Sequence, residues 1–121
     1  MIEKTPDKKF RKELNAGTAA LVLLGVLEKS DEPMYGYQIA KLISSRDDSA
    51  PMMKQGALYP VLRSLERGGL LESTIETSVS GPPRRYYRIT VAGRDALARW
   101  IEMWKGSRDF IDSIIRGVQD A

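Results

Sequence analysis

The stretch "GALYPVLRSLERGGLLESTIETSVSGPPRRYYRIT", residues 56–90, decides the fold, because its apolar period changes partway along. Leu58, Leu62 and Leu65, with Val61, form a stripe at i, i+4 and i+7, the mark of an amphipathic helix. Gly68 and Gly69 follow in the C-cap role. From there the pattern alternates. Leu71, Ile75 and Val79 point one way with Ser73 and Thr77, while Glu72, Thr74 and Glu76 point the other, as in a half-buried strand. "RRYYRIT" (84–90) alternates too, with Tyr87 and Ile89 on one face and Tyr86 and Arg88 on the opposite one. "SGPP" between them is a turn, so the pair reads as a β-hairpin. Glu72 and Glu76 are placed to meet Arg88 as cross-strand ion pairs. The helix begins near Gly56, and its exposed early face carries Tyr59 and Arg63. Pro60 either sits in the first turn, where a missing N–H costs nothing, or kinks the helix slightly.

Working outward, "AALVLLGVL" (19–27) is a buried helix that ends near Lys29, before the break at Asp31, Glu32 and Pro33. "MYGYQIAKLISS" (34–45) places Tyr35, Ile39, Leu42 and Ile43 at helical spacing, with Tyr37, Gln38 and Lys41 on other faces. Residues 1–15 form a basic N-terminal arm, either mobile or a loosely attached helix, with helix starting as early as Phe10. Downstream, Thr90 is an N-cap for a long helix over 91–121. Leu97, Ile101, Trp104, Ile111, Ile115 and Val118 follow a heptad-like alternation broken at Arg108, and a second apolar face holds Trp100, Met103, Phe110 and Ile114. One helix with two apolar faces has more apolar surface than its own small domain can cover. Three helices, a hairpin and a long helix is the winged helix-turn-helix order. The predicted fold is mainly α with a β-hairpin wing, a winged-helix DNA-binding domain over 16–90 and a dimerisation helix over 91–121.

Composition narrows the function. The 121 residues fit one domain. No cysteine means no disulfide and no thiolate metal site, and no histidine removes the commonest metal ligand and the usual general base. With no Gly-rich phosphate loop and no paired carboxylates in a plausible cleft, nothing is equipped for catalysis, and neither a metal nor a cofactor is expected. No apolar run approaches the roughly 18 residues of a membrane span. Net charge is only +3, but its distribution is uneven. Residues 80–94 hold Arg84, Arg85, Arg88 and Arg94 and no acid; residues 1–15 are also net positive, and the remainder is net negative. A nearly neutral body with a concentrated basic spot is the pattern of a chain that touches a polyanion locally.

The major groove admits one α-helix, which suits the third helix, and the hairpin tip then reaches the flanking backbone or the minor groove. Pro82 and Pro83 stiffen that tip, so little entropy is lost on docking. Arg84 and Arg85, with no acid to compensate them locally, supply charge for phosphates, and Tyr86 a phosphate or sugar contact. Tyr87 is assigned to the core beside Ile89. Tyr59 is read as a DNA contact because Leu58 and Leu62 fill the inward face. Arg63 either contacts DNA or pairs with Glu66. Arg67 is a solvated charge, and Lys54 and Gln55, ahead of the helix, are further phosphate candidates.

"MYGYQIAKLI", "GALYPVLRSLERGGLLE" and "GPPRRYYRITVAGRDAL" resemble successive motifs of the PadR family of transcriptional regulators. The resemblance runs from about Ala19 to Leu97 and centres on the pattern Gly-x-Leu-Tyr-Pro-x-Leu-x-x-Leu-Glu. It implies a homodimeric, cytoplasmic winged-helix repressor of the short type, whose single C-terminal helix dimerises, with Leu97, Ile101, Trp104, Ile111, Ile115 and Val118 as the interface. Carried over by motif, it implies DNA contacts from Gly56, Ala57, Tyr59, Pro60 and Arg63, from Arg84 and Arg85, and from Tyr37 near a phosphate. The family commonly has Ser or Thr after the glycine, and here Ala57 stands there, so backbone N–H groups or Tyr59 must carry that end. Trp100 and Trp104 are either dimer core or, as the resemblance implies for some relatives, the walls of a pocket for a planar hydrophobic effector. Partners expected are therefore double-stranded DNA with a palindromic operator, a second copy of the chain and a small hydrophobic ligand, with half-sites roughly 34 Å apart. The competing reading is a winged-helix adaptor that binds another protein, since fold alone does not fix function.

Overall fold

The computed structural model describes residues 4–46, 55–77 and 80–120. The elements run α1 (Thr5–Lys29), β1 (Met34–Tyr35), α2 (Gly36–Arg46), α3 (Gln55–Arg67), β2 (Leu71–Glu76), β3 (Arg84–Ile89) and α4 (Val91–Gln119). Among the described residues no helix is long and apolar enough to cross a membrane.

α1 starts at Thr5, so most of the expected arm is helix and the start precedes Phe10. Pro6 sits in the first turn, where no intrahelical donor is needed, and Asp7 complements the N-terminal dipole. α3 closes as a Schellman motif. Gly69 takes φ +78°, its N–H donates to the Glu66 carbonyl at 2.9 Å, and the Leu70 N–H donates to the Leu65 carbonyl at 2.9 Å. Thr90 then ties the start of α4 to that turn. Its N–H donates to the Leu70 carbonyl at 3.1 Å, and its hydroxyl donates to the Gly69 carbonyl at 2.7 Å while accepting from the Gly93 N–H at 3.0 Å.

The core lies where the helices meet the root of the hairpin. Leu23, Leu24 and Leu27 of α1, Ile39 and Ile43 of α2, and Leu58, Leu62 and Leu65 of α3 pack with Leu71, Tyr87 and Ile89 of the sheet. Three sequence expectations change here. Tyr35 belongs not to the second helix but to β1, which pairs antiparallel with β3 and makes a three-stranded sheet in the order β1-β3-β2. Ile75 is 59% exposed, because the hairpin outruns the helices beyond Ser73; Val79 lies outside the described residues. Leu97 is buried in this chain's own core, with Ile101 and Trp100 packed against it, so Leu97 is withdrawn from the interface set. Helical periodicity reports that a residue is buried, not which chain buries it. Beyond Ile101 every described residue of α4 is exposed.

Candidate nucleic-acid interface

α3 turns Leu58, Leu62 and Leu65 inward and leaves Ala57, Pro60, Arg63, Ser64 and Arg67 exposed on the opposite stripe. Gln55 and Gly56 open the helix; Lys54, the candidate just before them, lies outside the described residues. Pro60 lies inside the helix rather than in its first turn, so it withholds a donor from the Gly56 carbonyl. Tyr59 is not on the exposed stripe. It is half-buried against the core, with its ring over the start of α2, where a Cβ added to Gly36 would come within 2.8 Å of Cε1. Gly36 thus marks a close approach that brings the two helices of the helix-turn-helix together.

Arg84 and Arg85 sit at the tip end of β3, and alternation sends them to opposite faces of the sheet. Both are exposed, yet neither is without a neighbour. The Arg84 guanidinium carbon lies 4.5 Å from the centre of the Tyr35 ring. The Arg85 Nη1 donates to Ser73 Oγ at 2.9 Å, and that hydroxyl donates in turn to Glu66 Oε2. Glu66 therefore faces the wing, and among the described residues it forms no ion pair with Arg63, the pairing considered from sequence; Arg63 is exposed. The link runs guanidinium to hydroxyl to carboxylate and ties both wing strands to the last turn of α3. Below it, burial raises the Tyr87 phenol above its ordinary 10.0, and the Glu66 carboxylate adds to the rise, while Arg85 and Arg63 pull it back. Ser73→Ala cuts this link with no change of charge. It should lower stability by about 1 kcal/mol, one bridging hydrogen bond, with Ser73→Thr retaining most of it; chemical denaturation of the three proteins measures this.

Arg88 meets Glu72 directly across the strands, as the alternation predicts, whereas Glu76 is registered opposite Arg84. Tyr37, at the start of α2, is 52% exposed and stacks on Tyr35 with centroids 6.4 Å apart and planes 18° apart. Tyr35 also meets Tyr86 edge-on at 5.4 Å. Sequence reasoning missed Tyr35 here, though a signal was present. Its N–H donates to Gln38 Oε1 at 3.1 Å, the reach-back half of a capping box, which places the helix start after Tyr35.

Trp100 and Trp104 share one groove of about 660 Å³ between α1 and α4, together with Leu14, Leu21, Met103 and Ile111. Arg108 lies over the Trp104 ring at 5.0 Å.

Comparison with known proteins agrees with this geometry. Residues 23–99 match the transcriptional regulator PadR-like family. An uncharacterized protein of Lysinibacillus sphaericus is 31% identical over 100 residues, which cover 83% of this chain and 89% of that protein. The crystal structure of a PadR family transcriptional regulator from Eggerthella lenta superposes with a TM-score of 0.73 at 33% identity, covering 89% of this chain and 90% of that one. A transcriptional regulator from Clostridium thermocellum gives 0.74 at 27% identity, covering 84% and 96% respectively. With this fold, and with the family match spanning residues 23–99 from the core of α1 into α4, the chain belongs to the PadR-like family of transcriptional regulators.

Proposed function

We propose that the chain is a cytoplasmic homodimer that represses transcription by occupying a palindromic duplex site. The observation that carries this reading is the shared exposure of two basic elements: the outer stripe of α3, with Arg63 and Arg67, and the wing, with Arg84 and Arg85. The α3 stripe enters a major groove and the wing arginines take phosphates on the flanking backbone. Gln55, Gly56, Ala57 and Pro60 lie where α3 first meets the duplex, and Tyr37 approaches a phosphate from the start of α2. Tyr59 acts from behind, as the ring that sets α3 against α2. Two such units related by a two-fold axis read two half-sites, which is why the site is palindromic. Trp104, Ile111, Ile115 and Val118 join the two copies, with Ile101 at the edge of that seam. The groove holding Trp100 and Trp104 is the seat for a small planar hydrophobic effector.

Selection of bound duplexes from a random library tests the reading, and a palindromic motif is the expected result. Arg84→Ala with Arg85→Ala should then weaken binding at every sequence. The double variant should also flatten the dependence of log K on log salt by roughly 0.9 for each phosphate that the wing no longer neutralises. An unchanged slope removes the wing from the mechanism. A monomeric protein that selects no duplex would favour the adaptor reading instead.

A further inference from the structure

We infer that Tyr35 is a positioning residue that holds the wing cation Arg84 and the α2 residue Tyr37 at a fixed separation, so that both meet the same DNA backbone. This rests on the DNA reading above. Tyr35 has no place in that reading as a contact, and its ring is the point where three other groups converge. Arg84 lies on the ring at 4.5 Å, Tyr37 stacks at 6.4 Å, and Tyr86 abuts it edge-on at 5.4 Å. The ring itself is fixed from its backbone. Tyr35 pairs with Tyr86 across β1 and β3, and its N–H is held by Gln38.

The choice of neighbour for Arg84 is informative. Glu76 is its registered partner across β2 and β3, yet the two form no ion pair among the described residues. An ion pair would orient the guanidinium but neutralise it. An aromatic face orients it and leaves its full charge for a phosphate. Holding a long side chain in place before binding also removes ordering entropy that docking would otherwise have to overcome. The same ring carries Tyr37, which belongs to the first turn of α2, a helix start with no acidic residue in that turn. A helix N-terminus and a poised arginine held on one ring form a two-point grip whose span is set by Tyr35.

The test is a double-mutant cycle on duplex affinity, using the selected site, with Tyr35→Leu and Arg84→Ala. Tyr35→Leu is expected to weaken binding roughly threefold per protomer, about tenfold for the dimer, as suits one exposed cation–π contact in each copy. It should also lower the salt slope toward that of Arg84→Ala. In the Arg84→Ala background the Tyr35→Leu loss should shrink to threefold or less, and Tyr35→Phe, which keeps the ring face, should restore wild-type binding and slope. Losses that multiply independently in the cycle overturn the inference while leaving the DNA reading intact. A wild-type protein that binds no duplex overturns both. If Tyr35→Leu does not fold, the side-chain protons of Arg84 in the free wild-type protein decide. A ring-current shift that persists in Tyr35→Phe supports the contact, and ordinary arginine shifts overturn it.

Discussion

Gly93→Ala should be the most destabilising single-methyl change in this protein. Gly93 lies in the first turn of α4, buried against the turn that ends α3. A Cβ built on it would sit 2.1 Å from the Leu70 carbonyl oxygen and 2.7 Å from Ile89 Cγ1. The first neighbour is backbone, so no rotamer change relieves the overlap; α4 must move by about 1 Å or more. That displacement acts on bonds already in use. The Leu70 carbonyl accepts from Thr90, and the Thr90 hydroxyl caps α4 while holding Gly69. Overpacking, a weakened cap and a stretched hydrogen bond together come to about 3–4 kcal/mol. That is a large share of the 5–15 kcal/mol typical of a domain, and a fall in Tm of roughly 10–15 °C. Gly106→Ala, in the same helix where an added Cβ would meet nothing within 4 Å beyond its chain neighbours and the helix's own backbone, should do the reverse and gain about 0.5–1 kcal/mol from helix propensity. Thermal melts of the two variants beside the wild type decide it. An unchanged Tm for Gly93→Ala would mean that α4 does not leave the wing at the angle described.

The contrast between those glycines shows what sequence can and cannot carry. Gly68 and Gly69 were readable because a helix end needs a residue at positive φ, a local demand. Gly93 was not, since the carbonyl that excludes a side chain there belongs to Leu70, on another element. The same divide runs through the site. The hairpin, the inward stripe of α3 and the Glu72–Arg88 pair follow from periods of 2 and 3.6. β1 has only two residues and exists because β3 pairs with it; Gln38 announces locally that the helix starts after Tyr35 but not that a strand precedes it, and the i, i+4 spacing of Tyr35 and Ile39 imitates helix. Arg84 and Arg85 read as uncompensated because their nearest acid in sequence is Glu76, yet Arg85 reaches Glu66 through Ser73 once α3 packs beneath the sheet. Local charge therefore marks Arg84 and Arg85, which are exposed, but carries nothing of how firmly they are held.

Ile111→Glu with Ile115→Glu should abolish dimerisation and with it almost all specific DNA binding, while leaving each protomer folded. The two side chains are 51% and 43% exposed, and Trp104 on the same seam is 42% exposed. None belongs to this chain's own core, unlike Leu97, whose truncation would test stability rather than assembly. A water-exposed row of isoleucines gains only when a partner covers it, at about 1.5–3 kcal/mol for each one buried. Two-fold symmetry counts each substitution twice, so the double variant removes roughly 6 kcal/mol or more, and it would also bury four carboxylates facing one another. A dimer of micromolar strength or better would become monomeric across the range that sizing or sedimentation can reach. Binding to a palindrome should then fall by roughly 10²–10⁴, the gain that comes from linking two half-site contacts, with binding to a single half-site unchanged. Circular dichroism should keep its helical signal, since α4 holds its own hydrogen bonds without the seam. Should the double variant still sediment as a dimer, the two copies must meet through another surface, for which the exposed Phe10 and Leu14 on α1 would be the place to look.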